Sequence, residues 1–390
     1  MSIADRWLLP DGVEEVLPPA AAHLEAVRRR LLDEFARWGF QYVIPPLVEY
    51  LESLLTGTGE DLDLKTFKVT DQSSGRMMGI RADITPQVAR IDAHSLGHEG
   101  MTRLCYAGTV LHAQADNMLA SRTPISVGAE LFGNTGTAGD LEIVSLMLEV
   151  LSREVQQPVR IELGDVGIFR ELIVSSSLAR SEQDLLFELI QRKAQAELDA
   201  VLRKLNLDAR LREKISVLPS LFGGEATLAR AEVVFADDTA ICHRLANLRE
   251  VTQGLKLRFG APELFYDLSE LRGYAYHTGI VFAAYAGPSG IRLAKGGRYD
   301  HVGEVFGRAR AATGFDIDLK ALASFSGNGA SRPKRVLAEA GTEATERGRW
   351  TFVRRLRAEG FEVLESGDAE GCEFLLVFDD NEWQLRRLDR

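Results

Sequence analysis

The amino-acid sequence predicts an α+β fold, in which a mostly antiparallel sheet is flanked by helices and carries a helical insertion and a small C-terminal α/β unit. Segments with strand patterns follow one another instead of alternating regularly with helices, which favours antiparallel pairing. Residues 173–259 have an almost wholly helical pattern. A stretch of small and turn-forming residues, 326–331, then separates the C-terminal residues from the rest of the chain.

The first element is an amphipathic helix that follows two prolines. Its apolar residues recur at spacings of three and four, namely Leu24, Val27, Leu31, Phe35 and Trp38. Gly39 is placed to end this helix, because glycine readily adopts the left-handed conformation of a helix C-terminus. Residues 40–44 have a strand pattern, which Pro45 and Pro46 stop because proline cannot donate a hydrogen bond to a sheet.

A hairpin and a short helix are predicted next. Strand patterns at 66–70 and 77–81 flank the turn-forming residues 71–75. A helix is expected to open with Thr85 as its N-cap, because Pro86 then takes the first helical position.

The later elements follow from the same patterns. In order they are strands at 102–111 and 125–132, a helix at 138–152, the helical stretch 173–259, strands at 264–268, 277–285 and 290–294, a turn at Gly296 and Gly297, and a strand that leads into a helix over 313–325. The C-terminal unit is predicted to hold a strand at 335–338, a helix at 349–359 and strands at 361–365 and 374–378. We therefore expect a core (1–172 and 260–327), a helical insertion (173–259) and a C-terminal domain (328–390).

Composition and charge exclude several classes of protein. The 46 lysines and arginines against 57 aspartates and glutamates give a net charge of −11, so the chain is a poor general binder of nucleic acid. No apolar run approaches the ~18 residues that span a bilayer, and the start lacks the pattern of a secretory signal. The three cysteines are far apart, which predicts neither disulfides nor a metal site and favours a reducing cytoplasm. We expect no metal and no other cofactor.

Four segments carry the functional information. They are 79–87 (Gly-Ile-Arg-Ala-Asp-Ile-Thr-Pro-Gln), 106–133, 271–279 (Leu-Arg-Gly-Tyr-Ala-Tyr-His-Thr-Gly), and 295–300 (Lys-Gly-Gly-Arg-Tyr-Asp) followed by 314–320. In order and spacing they resemble the catalytic core of histidyl-tRNA synthetase, a class II aminoacyl-tRNA synthetase. The resemblance covers roughly residues 5–325 without the insertion, and it implies a class II synthetase-like antiparallel sheet.

The chain departs from this family at the residues that hold ATP. Motif 2 of the family reads Phe-Arg-x-Glu, and here Leu111, His112, Ala113 and Gln114 stand in its place. Motif 3 ends in Gly-Leu-Glu-Arg, and here Ala321 stands in place of that arginine. A guanidinium makes bidentate, permanently charged contacts with phosphate, so the loss of two such groups implies that no adenylate is formed.

The amino-acid half of the family's pocket is largely retained. Asp83 matches a glutamate that pairs with the ligand ammonium, Arg272 matches the arginine that reaches the ligand carboxylate, and Ser126 replaces a family glutamine. Tyr276 matches the first tyrosine of the family signature, and His277 replaces the second. The resemblance therefore implies a histidine-binding site that consists of Asp83, Thr85, Glu130, Arg272, Tyr276 and His277.

This combination of retained and lost groups is similar to that of the regulatory subunits of ATP phosphoribosyltransferase, a family paralogous to histidyl-tRNA synthetase. The C-terminal unit agrees, because it is short for an anticodon-binding domain. The resemblance implies a non-catalytic cytoplasmic subunit, which is required for activity of the short catalytic subunit and for feedback control of the first step of L-histidine biosynthesis.

The partners that this family implies are specific. They are the short-form catalytic subunit in a hetero-oligomer, expected to be a hetero-octamer; a second copy of the chain, which would pair through the motif 1 region at 43–47; and L-histidine as effector. Nucleic acid and membranes are not expected partners.

Two other functions stay open on the sequence alone. A divergent histidyl-tRNA synthetase or another amino-acid adenylating enzyme would need Lys295 or Arg298 to replace the lost arginines. A synthetase-like factor that binds tRNA would need a basic surface, which the acidic balance disfavours.

Single residues also have purely structural interpretations. Arg272 would then be an ion-pair partner, Asp83 a helix cap, Glu130 a strand residue facing solvent and His112 a packed histidine.

Overall fold

The structure is a computed structural model that describes residues 7–56, 60–115, 120–174, 176–271, 273–274, 276–327 and 333–388. The chain divides into two compact units, Met1–Asn328 and Gly329–Arg390. Within the described ranges, every helix is too short or too polar to span a bilayer.

The first unit opens with a helix and a small antiparallel sheet. Its first elements are α1 (Ala20–Arg37), β1 (Gln41–Tyr42), β2 (Val48–Tyr50), α2 (Leu51–Leu55), α3 (Glu60–Lys65), β3 (Phe67–Thr70) and β4 (Met77–Ile80). Helix α1 is confirmed, since Val27, Leu31 and Phe35 are buried on one face and Gly39 has a φ of +84°. The predicted hairpin is confirmed by the antiparallel pairing of β3 with β4.

The next elements lead into the central sheet. They are α4 (Thr85–Arg90), a π-helical turn (Ile91–Leu96), β5 (Thr102–Thr109), β6 (Ile125–Phe132), α5 (Thr137–Glu154), β7 (Val159–Asp165) and α6 (Val166–Val174). The predicted N-cap is wrong, because Thr85 lies inside α4 and its hydroxyl donates to Glu130 instead. The Asp83 carboxylate accepts a hydrogen bond from the Thr85 N–H at 2.9 Å at this helix start.

The stretch predicted as an insertion is mostly helical. It contains α7 (Arg180–Gln191), α8 (Gln195–Leu202), α9 (Ala209–Val217), a 3₁₀ turn (Leu218–Ser220), β8 (Phe222–Gly223), α10 (Ala226–Val234) and α11 (Thr239–Phe259). Its buried residues belong to the same hydrophobic cluster as those of α5 and the central strands. The separation of 173–259 from the core as a domain stays a prediction.

The first unit ends with the strands that complete the sheet. They are β9 (Glu263–Asp267), β10 (Ile280–Ala286), β11 (Ile291–Arg298) and β12 (Ala312–Asp318), with a 3₁₀ turn (Glu304–Phe306) before β12 and α12 (Leu319–Phe325) after it. The turn predicted at Gly296 and Gly297 is wrong, because both lie in β11. A Cβ atom would lie 2.7 Å from the Phe282 ring at Gly296 and 2.7 Å from the His277 ring at Gly297. These glycines therefore allow close packing across the strand.

Among the described residues, nine strands form the central sheet in the order β1-β5-β6-β12-β11-β10-β7-β9-β8. The pairs β1–β5 and β7–β9 are parallel, and the other neighbours are antiparallel. A mostly antiparallel sheet flanked by helices is therefore confirmed.

The two faces of this sheet differ because successive strand residues point to opposite sides. On one face, apolar residues of the central strands join a large buried cluster with α1, α5 and α12, and examples are Val127, Leu131, Phe315 and Ile317. On the other face, a smaller cluster contains residues of α4 and of the strand ends, including Ile84, Val88, Leu104, Tyr106 and Tyr299. The predicted site residues Glu130 and Thr85 lie on this second face.

The C-terminal unit is a small α/β fold. Its elements are β13 (Arg335–Ala338), α13 (Glu346–Ala358), β14 (Glu362–Leu364), β15 (Phe374–Asp379) and β16 (Glu382–Arg387), with strand order β14-β13-β15-β16. The predicted helix and three strands are confirmed. Strand β16 is absent from the prediction, because the turn before it places Asp380 and Asn381 at positive φ, where glycine is the usual signal.

Candidate functional site

The candidate site lies on the second face of the central sheet, where the strand register places residues in rows. One row contains Glu130 of β6, Gly314 of β12 and Gly297 of β11. The adjacent row, two residues along each strand, contains Tyr106 of β5, Gly128 of β6, Asp316 of β12 and Lys295 of β11.

Glycines in these rows make room for the polar side chains. A Cβ atom on Gly314 would overlap the carboxylate of Glu130, and one on Gly128 would lie 2.5 Å from the Tyr106 ring. The side chains of Glu130 and Tyr106 therefore lie across neighbouring strands instead of standing away from the sheet.

Glu130 is the buried centre of the site. Its side chain accepts hydrogen bonds from the Thr85 hydroxyl at 2.8 Å, from the Tyr106 hydroxyl at 3.3 Å and from the Tyr299 hydroxyl. Glu130 is 1% exposed, so its interpretation as a solvent-facing residue is wrong. Burial raises the pKa of Glu130 to about 8. Protonation, or a hydrogen bond from a ligand N–H, would offset the free-energy cost of burying this carboxylate.

The segment before α4 carries the next two predicted residues. Thr85 bonds to Glu130 through its hydroxyl and to Asp83 through its backbone N–H. Asp83 thus helps to start the helix, as its structural interpretation predicts. Its charge also contributes to raising the pKa of Glu130 and of Asp316, so it acts on the polar site as well. The two roles are compatible, because a carboxylate has more than one acceptor position.

The loop before β10 contributes an aromatic pair. The rings of Tyr276 and His277 lie 4.3 Å apart between centroids, and the His277 Nδ1 lies 3.2 Å from the Arg298 carbonyl oxygen. Burial lowers the pKa of His277 to about 4 and raises the pKa of Tyr276 to about 12, so both side chains are neutral at physiological pH. The Arg170 guanidinium of α6 holds this loop by donating to the carbonyl oxygens of Tyr274 and His277, each at 2.9 Å.

Arg272, the residue predicted to bind the ligand carboxylate, lies outside the described residues. Its role and its interpretation as an ion-pair partner therefore both stay predictions.

The structure connects the other five predicted residues through a chain of contacts. Asp83, Thr85 and Glu130 are joined by hydrogen bonds. Tyr276 stacks on His277, whose ring centroid lies 6.5 Å from that of Tyr299, and Tyr299 donates to Glu130.

Two contributors to this site, Tyr106 and Tyr299, have no role in the sequence prediction. Both lie inside the segments that resemble the synthetase, but a hydroxyl-bearing aromatic is as common in a core as in a site. Tyr106 lies opposite Gly128 in the sheet, whereas Tyr299 directly follows β11 and bonds through its backbone to Ala312. Only the tertiary structure shows that both hydroxyl groups face Glu130.

Lys295 and Asp316 add an ion pair to the site. The Lys295 Nζ lies 3.9 Å from the Asp316 Oδ1 across β11 and β12. Burial raises the pKa of Asp316 to about 6, although Lys295 works against this, and Asp316 in turn raises the pKa of Lys295. The site therefore contains three carboxyl groups and one ammonium among its described residues.

The residues at and next to the positions where the family binds ATP make contacts within the chain. The His112 Nε2 lies 3.0 Å from the Ala82 carbonyl oxygen, as expected of a packed histidine. Lys320 next to Ala321 pairs with Glu14 at 2.9 Å, and the Asp318 carboxylate caps α12.

Arg298, a candidate replacement for the lost arginines, is fully engaged in structural contacts. Its buried guanidinium contacts both oxygens of Asp140 at 3.1 Å and donates to the carbonyl oxygens of Asn134 and Gly136. A phosphate ligand would have to break this buried network, so Arg298 does not replace a motif arginine.

Comparisons with known proteins identify the family of this chain. The family model for histidyl-tRNA synthetase matches residues 12–322. The ATP phosphoribosyltransferase regulatory subunit of Pseudomonas paraeruginosa is 48% identical over 397 aligned positions that cover 100% of both chains. The corresponding protein of Saccharophagus degradans is 47% identical and covers 93% of this chain and 92% of its own.

Solved structures show the same fold. The ATP phosphoribosyltransferase regulatory subunit/histidyl-tRNA synthetase from Bacillus halodurans C has a TM-score of 0.82 and 25% identity, over 96% of this chain and 99% of that chain. A chain of the ATP phosphoribosyl transferase (HisG:HisZ) complex from Thermotoga maritima has a TM-score of 0.60 and 18% identity, over 78% of this chain and 98% of that chain. On these matches, the chain belongs to the family of ATP phosphoribosyltransferase regulatory subunits, within the histidyl-tRNA synthetase-like proteins.

Proposed function

We propose that the chain binds the short catalytic subunit of ATP phosphoribosyltransferase, makes that subunit active, and restrains it when L-histidine occupies the site around Glu130. The observation that carries this proposal is the one-sided chemistry of the site. Hydroxyl groups that donate to Glu130 surround its carboxyl group, whereas a histidine and an alanine stand at the two positions where the family holds ATP with arginine.

Each predicted site residue has a chemical role in this proposal. Asp83 pairs with the ligand ammonium, Arg272 pairs with its carboxylate, and Glu130, aligned by Thr85, accepts from an imidazole N–H. Tyr276 and His277 enclose the ligand as neutral rings. Because Glu130 is buried among hydroxyl groups, it selects ligands that can donate a hydrogen bond inside the pocket over ligands that cannot.

The partner proposal rests on the similarity to the HisG:HisZ complex of Thermotoga maritima. A hetero-octamer is the assembly we expect, with a cytoplasmic location. Exposed apolar side chains of the motif 1 region support pairing of two copies of this chain through residues 43–47 and their neighbours. They are Tyr42, Ile44, Leu47, Val48 and Tyr50, and Ile44 is 80% exposed.

Mixing the two purified chains tests the activation directly. The catalytic subunit alone should be nearly inactive, addition of this chain should restore synthesis of phosphoribosyl-ATP, and histidine should then inhibit. Turnover by this chain alone, or histidine-dependent exchange of pyrophosphate into ATP, would favour the adenylating enzyme instead.

Calorimetry tests the histidine site independently of the partner. Arg272→Ala should lose most of its histidine affinity, whereas Arg203→Ala, which changes an exposed arginine at the end of α8, should bind normally. Equal affinities of Arg272→Ala and wild type would remove the carboxylate role. Because coupling between sites is reciprocal, phosphoribosyl pyrophosphate should also weaken histidine binding in the assembled complex.

Ile44→Asp tests the predicted interface. Analytical ultracentrifugation should show a dimer for the wild-type chain and a monomer for this variant, because an aspartate at the centre of an apolar interface would be buried without a partner. An unchanged dimer would place the interface elsewhere.

A further inference from the structure

Lys295 is a lysine on the site face whose ammonium is held only loosely by its own fold. It lies in β11 directly opposite Asp316 of β12, in the row next to that of Glu130. At 3.9 Å from the Asp316 Oδ1, the ammonium is within ion-pair range but beyond hydrogen-bonding distance.

Two other lysines of the first unit are bonded differently. Lys193 donates to Asp267 at 2.6 Å, and Lys320 donates to Glu14 at 2.9 Å. For Lys295, no described residue accepts a hydrogen bond, although an ammonium has three donors. The Lys295 side chain is 49% exposed and Asp316 26%, so a small ligand has access to both groups.

The surroundings of Lys295 divide the site into cationic and anionic positions. Asp316, and more weakly Asp83, raise the pKa of the Lys295 ammonium, whereas burial and the nearby Arg292 guanidinium act to lower it. The two aspartates provide for a ligand ammonium, whereas Lys295 provides the complementary position for a ligand carboxylate. A zwitterion would thus satisfy both halves, whereas a ligand with only an amine would pair with the aspartates but leave the Lys295 ammonium without a ligand carboxylate.

We propose that Lys295 binds the carboxylate of the amino-acid ligand and makes the site selective for amino acids over the amines and amino alcohols that share their side chain. This inference rests on the proposed function, since it assigns a specificity-determining residue to the same site.

Calorimetry with L-histidine and L-histidinol tests the assignment, because histidinol carries an alcohol where histidine carries the carboxylate. Wild type should prefer histidine, and Lys295→Met should bind histidine about 10- to 100-fold more weakly, which is the range for a hydrogen bond to a charged group. Histidinol affinity should stay within about twofold or increase, since the variant removes a like charge from the ligand amine. Lys256→Met, which changes a half-exposed lysine of α11 that pairs with Glu225, should behave as wild type.

The possible outcomes separate the two proposals. If wild type binds histidine and Lys295→Met binds it equally well, the Lys295 assignment is overturned and the histidine site stands. If Lys295→Met weakens histidine and histidinol equally, Lys295 only shapes the pocket and the assignment is again overturned. If wild type binds no histidine, the histidine site itself fails and the Lys295 assignment fails with it. Thermal unfolding of Lys295→Met confirms that any loss of affinity occurs in a folded chain.

Discussion

Replacement of Glu130 by glutamine tests whether a protonated carboxyl group lies at the centre of the site. Glutamine keeps the size of the side chain and its acceptor oxygen, but it cannot ionise. In the wild-type chain, burial raises the pKa of Glu130 from an ordinary 4.5 to about 8. The native state therefore keeps the proton over a pH range in which the unfolded chain has released it.

The sign and size of the effect follow from this difference. The contribution of a protonated Glu130 to stability is fully present below pH 4.5 and is lost as the pH rises towards 8. At ~1.4 kcal/mol per pH unit, the loss between pH 5 and pH 8 is roughly 3–4 kcal/mol. With about 2 °C of melting temperature for each kcal/mol in a chain of this size, the expected shift is on the order of 6 °C.

The assay compares melting temperatures of both proteins across this pH range without ligand. The difference between wild type and Glu130→Gln should change steadily from pH 5 to pH 8, with the variant gaining stability relative to wild type. Glu154→Gln is the matched control, because Glu154 is equally buried but bound by Arg30 through two hydrogen bonds of 2.7 Å. Although burial acts to raise it, the pKa of Glu154 is lowered by Arg30, so this variant should lose stability by the same amount throughout.

A constant difference in melting temperature between wild type and Glu130→Gln from pH 5 to pH 8 would contradict a raised pKa of Glu130. It would show that Glu130 is ionised in the native state at neutral pH, and the hydroxyl groups of Thr85, Tyr106 and Tyr299 would then stabilise the anion more than burial destabilises it.

Gly314→Ala should destabilise the first unit by about 1–3 kcal/mol in urea denaturation, because its Cβ would overlap the Glu130 carboxylate; a neutral result would mean that the side chain can move aside. Arg298→Ala should cost about 3–5 kcal/mol in the same assay, since it leaves Asp140 buried without its cation, and a loss below about 1 kcal/mol would contradict the buried pair. His277→Gln should flatten the acid side of the stability profile. Burial lowers the pKa of His277 from 6.5 to about 4, so the wild-type chain loses stability as pH falls through this window, and melting temperatures at pH 6.5 and 4.5 should show a smaller drop for the variant.

The succession of elements could be predicted from the sequence because it depends on local patterns. The spacing from Leu24 to Trp38 reports a helix with one buried face, and the apolar residues at every second position from Ile125 to Leu131 report a strand, whatever it pairs with. Gly39 could be identified as the end of α1 because a positive φ is required there. The predictions at Gly296 and Thr85 failed because contacts with residues far away in the sequence determine the structure there. Gly296 packs against Phe282, and the Thr85 hydroxyl donates to Glu130.

The elements of the core, the resemblance to a synthetase and the absence of arginine at positions 112 and 321 are properties of residue order, so they can be identified without coordinates. Which groups share the site depends on how the strands pair in the folded chain. Glu130 meets Thr85 and Tyr299 because β6 lies between β5 and β12, with β11 beyond β12, in a register that brings residues far apart in sequence together. Burial by those neighbours then sets the proton affinity of Glu130, and no pattern along the chain contains that quantity.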